Sequence, residues 1–100
     1  MSGGDWKAMF KGIQVNDLEL VKFYLRTGID PNYQHPEYMA LPLAESIRYK
    51  NIEITEALLL NGAKPLIIEM ESGVTSLETA KRTKNEKFIE LLNKFIESKD

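Results

Sequence analysis

The chain repeats itself. Residues 17–31 read DLELVKFYLRTGIDP, and residues 51–65 read NIEITEALLLNGAKP. Glu19 and Glu53, Leu25 and Leu59, Gly28 and Gly62, and Pro31 and Pro65 fall in register, each pair 34 residues apart. The same step leads from Met9 to Leu43 to Leu77, from Ile54 to Phe88, and from Leu58 to Leu92. A period of this length is the signature of stacked supersecondary units. It marks three copies, at about 5–34, 35–68 and 69–98, within a single domain spanning 1–100. One such unit cannot bury its apolar face alone, so neighbouring copies must supply the opposite wall.

The local pattern predicts two helices in each copy. The first helices run over Asp5–Val15, Leu41–Lys50 and Ser76–Lys84, and the second over Leu18–Thr27, Ile52–Asn61 and Glu86–Ser98. In the second helices apolar residues recur at helical spacing: Leu18, Val21, Tyr24, Leu25; Ile54, Ala57, Leu58; Phe88, Leu91, Leu92, Phe95. Asp5 and Thr75 suit N-caps, with Glu78 three residues after Thr75 as in a capping box. Pro42 is tolerated in a first turn. Gly28 and Gly62 stand just past helix ends, where a left-handed residue closes the last turn, and a proline three residues on blocks continuation. Between copies lie NYQHPEYM and LIIEMESG, each long enough for a small hairpin or loop.

This grammar resembles the ankyrin repeat. LPLAES and TSLETA correspond to the opening of that family's first helix, and LELVKFYLRTGIDPN and IEITEALLLNGAKP to its second helix and closing turn. Ala44 and Glu78 replace the family's histidine, Gly12 and Ser46 stand where Ala80 has the usual small residue, and Lys50 and Lys84 replace the inter-helix glycine. The resemblance implies an all-α solenoid: three helix-turn-helix repeats, six helices, short hairpin loops.

Composition narrows the function. Apolar residues make up 43% and charged residues 28%, as in a soluble globular chain, and the net charge of −2 comes without a basic block, which argues against a nucleic-acid partner. No cysteine is present, so disulfides, thiolate metal sites and a cysteine nucleophile are excluded. The N-terminal stretch lacks the apolar core of a secretory signal, and no apolar run is long enough to span a bilayer. A cytoplasmic protein with no membrane partner is expected.

Chemistry is hard to find. His35, the only histidine, has no nucleophile or oxyanion donor placed with it, and a solvated hairpin tip is its expected setting. The sequence offers only carboxylates to complete a metal site, and no glycine-rich stretch has phosphate-loop spacing. No enzyme activity, metal or cofactor is expected. Phe23, Phe88 and Phe95 read as core, and Trp6 as a cover for the open end of the first repeat. Glu69 and Glu71, two apart around Met70, should point the same way from a solvated hairpin.

The family resemblance implies protein–protein recognition through the concave face, built from first helices and hairpin tips. Carried over by register, that face comprises Gln14 from the first repeat and Tyr33, Gln34, Glu37, Tyr38, Arg48 and Tyr49 from the middle. Glu69, Glu71, Ser72, Arg82 and Thr83 come from the third. Glu37, Glu69 and Glu71 would form a negative rim favouring a basic partner. A narrower alternative is a dedicated inhibitor, such as an immunity protein that neutralises a toxin, or a host-directed bacterial effector.

Overall fold

The computed structural model describes residues 3–97. They form six helices: α1 (Gly3–Gln14), α2 (Leu18–Arg26), α3 (Pro42–Arg48), α4 (Ile52–Leu60), α5 (Ser76–Thr83) and α6 (Glu86–Glu97). Consecutive helices pack in pairs, α1 with α2, α3 with α4 and α5 with α6. Across pairs, α3 touches both α1 and α5, and α4 touches both α2 and α6. The result is two rows, α1–α3–α5 and α2–α4–α6. Among the described residues there is no strand, only one isolated antiparallel bridge between Ile68 and Thr75.

The 34-residue step is visible in the backbone. Asn16, Lys50 and Lys84 all take left-handed conformations, with φ of 59°, 60° and 59°, and end the first helix of each pair. A residue with a Cβ is strained there by about 1–2 kcal/mol. The next residue starts the second helix each time. The Asp17 carboxylate accepts the Leu20 N–H at 3.1 Å, and Asn85 Oδ1 accepts the Lys87 N–H at 3.1 Å. Asn51 instead donates its side-chain amide to the Ile13 carbonyl at 2.9 Å, tying the second pair to the first. Gly28 and Gly62 close α2 and α4 with φ of 102° and 98°, as expected. The following amides reach back five residues, Ile29 to Tyr24 O and Ala63 to Leu58 O, as in a Schellman ending. Thr75 caps α5 by accepting the Glu78 N–H at 3.0 Å. Asp5 is no N-cap: α1 begins at Gly3 and places it in the first turn.

The core runs through all three pairs. Met9, Leu43, Ile54, Leu58, Phe88 and Leu92 are buried in it, and Leu77 packs against it half-covered. Gly12 lets α1 approach α2, since a Cβ there would stand 3.3 Å from Val21 Cγ2. At the same register Ser46 is buried, its hydroxyl satisfied by the Leu43 carbonyl at 2.7 Å and the Thr55 hydroxyl at 2.8 Å. Trp6 is 1% exposed and covers the first pair's end of the core, stacked on Phe10 at 4.7 Å. Phe23 departs from expectation. It lies 49% exposed on α2, a helix with only one neighbouring pair to cover it.

Candidate interaction surface

The loops between helix pairs, residues 27–41 and 61–75, lie side by side, and the sequence supplies the ties. Gln34 uses its whole amide on the second loop: Nε2 donates to the Ile68 carbonyl at 3.0 Å and Oε1 accepts the Met70 N–H at 2.7 Å. The Glu71 N–H donates to the Met39 carbonyl at 2.7 Å. Asn32 bridges the same way, its side chain donating to Gly62 O and accepting from Lys64 N–H, both at 2.9 Å. Two amides thus do what a strand pair would do.

Beneath them sits an ionic clamp. Arg48, the last residue of α3, presents a two-pronged fork to Glu69, Nη1 to Oε1 and Nη2 to Oε2, both at 2.9 Å. The same guanidinium holds Glu45, Nη2 to Oε1 at 2.8 Å and Nε to Oε1 at 3.1 Å. Glu45 Oε2 accepts the Gln14 amide of α1 at 2.9 Å, and Glu69 Oε2 accepts the Leu41 N–H at the start of α3, also at 2.9 Å. Leu41 is an N-cap with no polar side chain, so a distant carboxylate meets one of α3's first amides. Burial pushes the Glu69 carboxyl up, but the Arg48 fork, the Leu41 amide and the Ser72 hydroxyl together outweigh it and hold the group below the usual glutamate range. The bonds to Glu69 raise the Arg48 guanidinium against its own desolvation, with Glu45 adding to the rise.

This corrects the expected rim. Glu69 is 0% exposed and points inward, whereas Glu71 is exposed, so the two acids do not share a side. The alternation is inverted relative to hydrophobicity: Ile68 and Met70 face out at 61% and 55% exposure while the acid goes in. Bidentate pairing with Arg48 stabilises the buried charge enough to reverse the usual preference. Gln14 and Arg48 likewise serve the clamp, and Gln34 the loop tie. Glu37 is exposed but engaged by Lys7 of α1 at 2.6 Å, a contact that raises the Lys7 ammonium and lowers the Glu37 carboxyl.

Exposed aromatic and apolar side chains remain. Tyr33 and Tyr38 are on the first loop, with Tyr38 edge-on to Trp6 at 5.4 Å and to Phe10 at 5.3 Å. Tyr49 stands exposed at the end of α3. Met39, Ile68 and Met70, exposed on the same two loops, were not among the residues that the sequence assigned to a partner. Glu45 was missed too; its three-residue spacing from Arg48 was the available signal. Ser72 and Val74 exchange weak contacts at 3.4–3.5 Å. Exposed Arg82 lies 3.6 Å from Glu78, and Thr83 turns its hydroxyl to the Ala80 carbonyl at 2.6 Å. His35 is not a solvated tip but half-buried, 5.5 Å from the Trp6 ring.

No helix of the described residues is long and apolar enough to cross a membrane, and among them no group of three or more histidines and acids is placed to hold a metal. No protein-family model and no curated protein matches the chain.

Proposed function

We propose that this protein is a non-catalytic recognition module, an ankyrin-type array that binds a protein partner through its inter-pair loops and the adjoining ends of α1, α3 and α5. The three left-handed turns at Asn16, Lys50 and Lys84 support the ankyrin assignment. The binding role rests on one observation. Tyr33, Tyr38, Met39, Tyr49, Ile68 and Met70 are exposed on or beside loops whose backbones are tied together by Gln34 and the Met39–Glu71 bond. Aromatic and methionine side chains are enriched at interfaces, and a backbone already fixed leaves less conformational entropy to lose on binding. The exposed residues, rather than the acids, carry this reading, because two of the expected charged contacts are spent inside.

The test begins with affinity capture and mass spectrometry to identify a partner, followed by titration of purified components. Tyr38→Ala combined with Met70→Ala should weaken the complex at least about tenfold, about 1.4 kcal/mol. Because Tyr38 also packs against Trp6 and Phe10, the melting temperature should fall, and affinity is compared well below the variant's melting temperature. Unchanged affinity for the double variant would move the site off these loops. Arg48 is unsuitable for this test, since removing it breaks the clamp.

A further inference from the structure

The loop that carries Tyr38 and Met39 is closed by an imidazole. His35 Nδ1 accepts the N–H of Glu37 at 3.1 Å, and the His35 carbonyl accepts the N–H groups of Tyr38 at 2.9 Å and Met39 at 2.7 Å. The ring is wedged among aromatics, 5.5 Å from Trp6, 5.7 Å from Tyr38 and 6.3 Å from Tyr33. Trp6 in turn donates its indole N–H to the Tyr33 carbonyl at 3.0 Å, so both ends of the loop are pinned against α1.

An acceptor at Nδ1 requires the neutral ring with its proton on Nε2. We propose that His35 is a proton-operated latch: protonation places a hydrogen on Nδ1 facing the Glu37 N–H, and the loop lets go of Trp6. Two donors cannot share that contact, so the ring must turn or the backbone must move. The titratable and charged groups around the ring set the direction of movement. Glu37 Oε1 lies 3.8 Å from Nε2 and is held by Lys7 from α1, while the phenols of Tyr33 and Tyr38 flank the ring. A charged imidazole is drawn toward the Glu37 carboxylate through Nε2 while its newly protonated Nδ1 repels the Glu37 N–H, so acidification breaks the Nδ1 contact.

The experiment needs no partner. Trp6 is the only tryptophan, so its emission reports the one indole against which this loop and Phe10 pack. Emission is followed from about pH 7.5 to about pH 5, alongside the amide proton shift of Glu37. Three proteins are compared: wild type, His35→Asn and His35→Leu. Asparagine keeps an acceptor for the amide two residues on and cannot take up a proton. Leucine removes the acceptor. The wild type should show a red-shifted emission and an upfield-moving Glu37 amide as pH falls. His35→Asn should show neither, and His35→Leu should resemble the acid form already at pH 7.5. Carboxylate titration is common to all three and cancels in the comparison. A flat wild-type profile, or the same transition in His35→Asn, would overturn the latch. If His35→Leu does not fold, wild type against His35→Asn still decides.

Discussion

Arg48 and Arg82 stand 34 residues apart, each in the last turn of a helix in the same row, yet their surroundings differ. Arg48 reaches forward into the following loop and locks a fully buried carboxylate with a bidentate fork. Arg82 lies exposed with Glu78 of its own helix at 3.6 Å, an arrangement that solvent screens. Among the described residues no acid from another helix pair forms an ion pair with Arg82. In a repeating chain, then, a side chain's role depends on what the next unit places against it. His35 and Glu69 make the same point from the other side. They share a register, and one closes its own loop while the other anchors a helix of the preceding pair.

The sharpest way to break this comparison is to remove the buried acid. Glu69→Ala leaves Arg48 half-buried without its main partner and the Leu41 amide unmet. The loss should be about 3–5 kcal/mol, as for other broken buried pairs, read by urea denaturation. Glu69→Gln isolates the charge. Because the folded carboxyl is held below its unfolded value, its contribution is fully present above the ordinary glutamate range and is lost as pH falls through the depressed folded value. The stability gap between wild type and Glu69→Gln should therefore be widest near neutral pH and narrow in acid. A gap independent of pH would mean that shape, not charge, sets the clamp.

A second test compares middle and end in the apolar core. Leu58 of α4 and Leu92 of α6 are both fully buried and equivalent in register, but α4 is walled by helices on both sides of its row and α6 on one. Truncation to alanine should cost about 2–5 kcal/mol at each, with Leu58 nearer the top because its surroundings can collapse less. Equal losses would argue that the α6 end is as rigid as the centre. The smallest effect should come from Arg82→Ala, within about 0.5 kcal/mol of wild type and sensitive to salt. A loss comparable to that of Glu69→Ala would erase the contrast between the two arginines.

Much of the framework was legible beforehand because it depends on local chemistry. The six helices, both helix-closing glycines, the Thr75 cap and the burial of Leu43, Leu58 and Leu92, with Leu77 only half-covered, follow from spacing, from the conformational freedom of glycine and from apolar periodicity. Helix ends came within about two residues, the usual uncertainty at a terminus, except that the expected end at Ser98 lies outside the described residues. The surface was less legible. Gln14, Gln34, Arg48 and Glu69 read as available to a partner, and each is engaged within the molecule. Tyr33, Tyr38 and Tyr49 were read as surface residues and are exposed, while Phe23 was read as core and is not.

The sequence by itself determined the helices and their ends, because a helix, a left-handed turn and a cap are each decided within a few residues of chain. Which acid is buried, which apolar residues face water and which arginine is locked were decided only when units 21 to 38 residues apart met. The energy of a charge depends on whether a partner with matched geometry and low surrounding dielectric is present, and that partner lies far away in sequence. From the sequence, Glu69 is expected to point out from a solvated hairpin. The fork of Arg48, delivered by the preceding helix pair, makes the opposite arrangement the stable one.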